Sequence, residues 1–188
     1  MKATHLLEAQ HKAIEHLFKQ LERSDDDRKT ATLFRELAST LEAHDTVERE
    51  IFYPACRRLL GPVRVLGKAM AEHDLIEYLL CRAHEAVGAL DFAFRRSVLD
   101  EVVSHHIIEE EDDLFARARF AFGAEGEQDI GLAIGARYSQ IKNTDYRTGL
   151  FAYVRKMFEG GRRSDSGEIS TRDVAEARAS AARAGRRR

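Results

Sequence analysis

Residues 44–55 read His-Asp-Thr-Val-Glu-Arg-Glu-Ile-Phe-Tyr-Pro-Ala, and residues 106–117 read His-Ile-Ile-Glu-Glu-Glu-Asp-Asp-Leu-Phe-Ala-Arg. Each places a Glu four positions after a His, as His44/Glu48 and His106/Glu110, and follows it with Phe52-Tyr53 or Leu114-Phe115. The parallel suggests two equivalent halves. Four residues of α-helix turn about 400°, so the two side chains lie within about 40° of each other and one turn apart. His11/Glu15 and His73/Glu77 repeat the spacing elsewhere in the chain.

All four pairs interrupt apolar stripes of helical period. Leu7, His11, Ile14, Phe18 and Leu21 predict a helix over 5–23; Leu33, Leu37, Leu41, His44, Glu48, Ile51 and Ala55 predict a second over 29–60. Gly61-Pro62 stops the second, and Pro54 is expected to kink its last part. Leu66, Met70, His73, Glu77, Leu80, His84 and Val87 mark a third over 63–89, and Leu99, Val102, His106, Glu110 and Leu114 a fourth over 91–121, before Gly123 and Gly126. No stretch alternates with period two. The fold expected is all-α: an up-down-up-down antiparallel four-helix bundle with an additional C-terminal helix. Each His stands about 12 to 16 residues from its helix's loop, and at about 1.5 Å per residue that places all four within one turn of a common cross-section. Imidazoles and carboxylates buried in a core are costly unless they are paired or bind a metal. A shared metal centre explains four such interruptions at once.

Composition narrows the alternatives. The 188 residues carry 30 Lys+Arg against 32 Asp+Glu, a net charge of −2, which argues against a domain built to neutralise nucleic-acid phosphates. Apolar runs fall far short of the roughly 20 residues of a membrane span, and the N-terminus lacks a secretory pattern, so a cytoplasmic protein is expected. Cys56 and Cys81 read as reduced core thiols. Three regions are expected: the bundle over 1–122, an accessory helical segment over 123–160, with a helix at 127–142 and a short piece at 150–158, and a tail over 161–188. Eight Arg against four acids make that tail basic, and with almost no large apolar residues it reads as disordered. Contact with nucleic acid is expected only through it.

Set in order, the chain resembles the hemerythrin-like, or HHE cation-binding, domains. The residues that carry the likeness are His11, His44-x-x-x-Glu48 leading into Ile51-Phe52-Tyr53-Pro54-Ala55, Glu72-His73, and His106-Ile107-Ile108-Glu109-Glu110-Glu111 leading into Leu114-Phe115; it covers about residues 1–120. The resemblance implies a non-haem centre of two iron ions with an oxo or hydroxo bridge inside the bundle. His11, His44, His73 and His106 would be its nitrogen ligands, and Glu48 and Glu110 its bridging carboxylates. Such a ligand set leaves one coordination position open, which is what binding or reducing O2, peroxide or NO requires; zinc or manganese would fit the same ligands.

The family's oxygen carriers place a second His one turn after the third-helix His, where this chain has Glu77. As a ligand, Glu77 would make the site richer in hard oxygen and favour Fe(III); as a neighbour, it would orient an imidazole. Both readings stay open, and Glu77 is counted with the candidate metal residues. Glu15 keeps ligand spacing, but the family pattern uses only the His of the first helix. His106 rather than His105 continues the apolar stripe. His5, His16 and His84 read as surface or ordinary core residues. Phe52 and Tyr53 read as packing residues, the Tyr53 hydroxyl also being a candidate hydrogen-bond partner near the site. A ferritin-type Glu-x-x-His pattern is met only by Glu8/His11. Three functions follow as family expectations: sensing of O2 or NO, catalase-like peroxide disproportionation, and storage or donation of iron for cluster repair.

Overall fold

The computed structural model describes residues 1–147, and every regular element among them is helical. These elements are α1 (Ala3–Glu22), α2 (Asp27–Val47), α3 (Tyr53–Leu60), α4 (Arg64–Glu85), α5 (Phe92–Glu109) and α6 (Phe115–Ile141). Two five-residue π-helical turns, π1 (Glu48–Phe52) and π2 (Glu110–Leu114), join α2 to α3 and α5 to α6. Four rods result: α1, α2–π1–α3, α4, and α5–π2 with the start of α6.

Local chemistry sets the ends. Asp26 Oδ1 accepts from the Lys29 N–H at 2.7 Å and caps α2. Gly61, at φ 72°, closes α3 with its N–H on the Arg57 carbonyl at 3.0 Å. In the second rod the sequence sets an irregularity at Pro54. Its irregularity is π1, just upstream, and Pro54 falls in the first turn of α3, where a missing N–H costs no helical bond.

The core consists of two apolar clusters with the histidine layer between them. One gathers Ile14, Phe18, Leu37, Leu41, Ile76, Leu80, Leu99 and Val103; the other gathers Leu7, Val47, Phe52, Leu66, Ala69, Leu114 and Phe115. Along α1 the chain passes from the second cluster through His11 to the first, along α2 from the first through His44 to the second. The order reverses again through His73 on α4 and through His106 on α5. Such alternation is the signature of an up-down-up-down bundle, and it makes the polar layer a complete cross-section.

Helical geometry is expected from the sequence to lapse between about 121 and 127; the backbone leaves it only at Gly123, at φ 64° and ψ −176°. Beyond that residue α6 lies against the start of the chain. The buried Glu127 carboxylate accepts from the Thr4 N–H at 3.3 Å and the Thr4 hydroxyl at 2.9 Å, capping α1 where Lys2 supplies no side-chain cap. At Gly131 a Cβ would stand 2.1 Å from the Met1 carbonyl oxygen, so only glycine allows this approach. The expected short piece at 150–158 and the Arg-rich tail at 161–188 lie outside the described residues. No described helix is long and apolar enough to cross a membrane.

Candidate metal centre

Six of the seven residues singled out by sequence converge. His11, His44, Glu48 and Glu110 form one group and Glu48, His73, His106 and Glu110 a second; all are buried, and the donor atoms of each group lie within 4.8 Å of one another. Glu48 and Glu110 belong to both. Glu48 Oε2 stands 3.2 Å from His44 Nε2 and 3.1 Å from His73 Nε2. Glu110 Oε2 stands 3.6 Å from His11 Nε2 and 3.5 Å from His106 Nε2. Each carboxylate therefore spans the two groups.

The imidazoles are oriented from behind. His11 Nδ1 donates to Glu111 at 2.8 Å, His44 Nδ1 to the Gln10 side-chain carbonyl at 2.9 Å, His73 Nδ1 to Asp45, and His106 Nδ1 to Glu72 at 3.2 Å. Every acceptor adjoins a candidate ligand in sequence and serves the histidine of the next rod. Gln10 on α1 holds His44, Asp45 on α2 holds His73, Glu72 on α4 holds His106, and Glu111 on π2 closes the ring onto His11. With Nδ1 donating, each Nε2 faces inward, where a neutral ring offers its lone pair to a cation. Burial opposes charge on Asp45, but His73 and Arg49 hold its carboxyl below the ordinary range; the bond from His106 does the same for Glu72, and that from His11 for Glu111.

The π turns decide what stands beside the carboxylates. In an α-helix the fifth residue on lies roughly 140° away, whereas the i→i+5 bonding of a π turn brings it back over the first. Tyr53, five after Glu48, points inward. Its hydroxyl lies 2.8 Å from Glu110 Oε1, 3.1 Å from Glu48 Oε2 and 2.7 Å from His73 Nε2. Phe115, five after Glu110, instead stacks on His11 with centroids 5.6 Å apart. The two halves, so alike in sequence, differ here: a hydroxyl sits in the His73/His106 half and an apolar ring in the His11/His44 half.

The donor set is electrostatically incomplete by itself. Burial, then the neighbouring Glu110, pushes the Glu48 carboxyl well above its ordinary value, while Glu110 overcomes burial through His106 and His11 and stays low. Burial, then His11, drives His44 well below the usual imidazole value; burial disfavours charge on His11 as well, yet Glu110 and Glu111 carry it up to about 9. Glu48 Oε1 and Glu110 Oε2 are buried without a hydrogen-bond partner. His11 and His44 bring their Nε2 atoms to 3.2 Å, His73 and His106 theirs to 2.9 Å. Two nitrogens at right angles on one cation, each about 2.1 Å from it, would be about 3.0 Å apart. One cation per group fits these residues.

Glu77 belongs to neither group. It lies buried 3.7 Å from Arg49, and burial, then Asp45, raises its carboxyl to about 8. A carboxyl raised in the folded state contributes stability that is complete below the unfolded value and lost as pH rises through about 8. Glu77→Gln should therefore gain on the wild type between pH 5 and 8.5, by on the order of 2 kcal/mol once Arg49 and relaxation are allowed for. Denaturant melts at the two pH values measure this, and a constant difference contradicts it. Glu15 sits partly exposed beside Lys19, and His105 is turned outward with Glu72 and Glu109, where Lys68 already supplies the cation.

A four-helix bundle with a ring of histidines closed over two shared carboxylates defines a cation-binding helical domain. The chain belongs to the hemerythrin HHE cation-binding domain family, whose family model matches residues 2–118. It is similar in fold to the crystal structure of a hemerythrin HHE cation-binding domain-containing protein from Mycobacterium kansasii, at TM-score 0.70 and 20% identity, over 81% of this chain and 99% of that one. It is also 25% identical over 142 residues to a protein of Nostoc sp. (strain PCC 7120) named DNA nickase, spanning 76% of this chain and 40% of that relative's length.

Proposed function

We propose that the chain is a non-haem di-iron protein that binds or reacts with O2, peroxide or NO. The observation that carries this reading is the pair of four-donor groups sharing Glu48 and Glu110, set beside an enclosed cavity of about 20 Å³. Leu41, Ile76, Val103 and Ile107 wall that cavity together with His44, Asp45, His73 and His106. It has room for about one water-sized molecule, and the lining it exposes is mainly apolar. Bound iron would supply the redox electrons and Lewis acidity that such ligands require.

The chain's own residues do the rest. Glu111, Gln10, Asp45 and Glu72 keep the four Nε2 atoms aimed inward, the orientation that a cation would require. Tyr53 brings the one hydroxyl that reaches the two groups among the described residues. Burial, then Glu110, raises its pKa well above the ordinary phenol value, so it remains protonated and donates to Glu110. That proton is positioned for transfer to a reduced ligand.

Protein purified without chelators should contain two irons per chain by metal analysis, with an optical spectrum of bridged ferric ions; less than one metal per chain, or zinc alone, overturns the reading. Steady oxygen evolution from peroxide marks the enzyme, and a stable adduct without turnover marks the sensor. Where turnover occurs, Tyr53→Phe should keep the metal and lose at least about tenfold in rate.

A further inference from the structure

On the side of the centre away from the closed cavity lies an open pocket of about 400 Å³, lined by Arg49, Tyr53, Pro54, Arg57, Arg58 and Met70. Its chemistry follows from spacing. Across π1 the fifth residue returns to the same side, so Pro54 follows Arg49 and Arg58 follows Pro54 one α-helical turn on, while Arg57 follows Tyr53 by the same step; the two rows adjoin along π1 and α3. Three arginines line the pocket and no acidic residue does. Arg49 is tied to Asp45 and Asp74, at 2.8 Å each. Arg57 donates to the Met70 sulfur at 3.4 Å, a weak acceptor, and among the described residues no carboxylate pairs with Arg57 or Arg58.

We propose that this pocket is a binding site for a small oxyanion of carboxylate or phosphate type, coupled to the centre through Tyr53 and Arg49. The guanidinium fork matches two oxygens of such a group, and the volume lies in the range of small-ligand sites, about 300–1,000 Å³. Two routes run inward from it, and both end on His73. Tyr53 lines the pocket with its side chain and places its hydroxyl 2.7 Å from His73 Nε2. Arg49 lines the pocket and holds Asp45, which accepts from His73 Nδ1. An oxyanion that draws on Arg49 therefore acts on one nitrogen of that imidazole, and one that presses on Tyr53 acts on the other.

The test titrates inorganic phosphate and, separately, acetate into the full chain, with and without iron, against chloride at equal ionic strength. One anion should bind saturably per chain, and Arg57→Ala/Arg58→Ala should weaken it at least tenfold while melting temperature and metal content stay unchanged. Arg64→Ala/Arg117→Ala, in a different groove beside Val63 and Ile108, should leave binding as it is. The tighter of the two anions assigns the class. In the iron-loaded protein the bound anion should shift the visible absorption, and in Arg57→Ala/Arg58→Ala it should not. Undiminished binding in that variant, or none that saturates, overturns the site; binding without a spectral shift overturns the coupling. Because binding is also read without iron, its failure is distinct from failure of the di-iron reading.

Discussion

Glu48→Gln and Glu110→Gln should each abolish tight cation binding in both donor groups, and then part company in the cation-free protein. Both carboxylates belong to both donor groups, so either substitution removes an anionic oxygen from each half. Losing a residue that merely supports a ligand costs about 10- to 100-fold in affinity, so losing the shared carboxylate should cost more than about 100-fold. Substituting one histidine should instead weaken mainly its own half. Stability separates the two variants because the environments differ. Glu48 is driven by burial and by Glu110 toward its neutral form, which glutamine imitates, so the chelated Glu48→Gln protein should melt close to the chelated wild type. Glu110 is held charged against burial by His106 and His11. Glu110→Gln leaves those partners uncompensated and should lose about 3 kcal/mol. Metal analysis after dialysis and urea melts of the chelated proteins check both statements; equal destabilisation would mean that the two carboxylates are interchangeable.

Much of the centre was legible in the sequence because burial leaves a period. His11, His44, His73 and His106 fall on the stripes of Leu, Ile and Val that build the two apolar clusters, and the His106 ring, not that of His105, turns inward. The His-x-x-x-Glu spacing alone could not decide which carboxylates meet. In an antiparallel bundle the residue four places on lies to one side of the histidine layer in α2 and α5 and to the other in α1 and α4. Glu48 and Glu110 therefore fall together on the side of Phe52 and Leu114, while Glu77 falls with Ile76 and Leu80 on the opposite side. Direction of the rod, not spacing, excludes Glu77 from both groups. The four acceptors behind the rings were missed because each serves the next rod, so no single-helix pattern contains them. Their only trace is adjacency, as Gln10-His11, His44-Asp45, Glu72-His73 and Glu110-Glu111. The Tyr53 hydroxyl does reach the site, as the sequence suggests, but the means was not legible: a 3.6-residue period places it off the face of Glu48, and only π1 returns it.

Removing the cations with a chelator should lower the melting temperature of the wild-type chain by about 10 °C. A ligand present at 1,000 times its dissociation constant stabilises the folded state by about 4 kcal/mol, and for chains of 150–250 residues each kcal/mol moves the midpoint by about 2–4 °C. The structure gives reasons for the shift to be this large. Without cations the layer keeps a buried carboxylate oxygen without a hydrogen-bond partner on each of Glu48 and Glu110, and its Nε2 atoms satisfy one another only where a ring carries a second proton, as between His11 and His44 at 3.2 Å. Rotating the rings would not relieve this, since each Nδ1 is held by its acceptor and apolar residues pack above and below. His44→Ala/His106→Ala, which removes one nitrogen from each half, should lose the bound iron and with it the response to chelator. A wild-type midpoint unmoved after the metal has demonstrably left would show that the layer is satisfied without cations. Because the layer crosses all four rods between two apolar clusters, the shift should appear as one cooperative transition at lower temperature, and circular dichroism at helical wavelengths and tyrosine fluorescence should report the same midpoint.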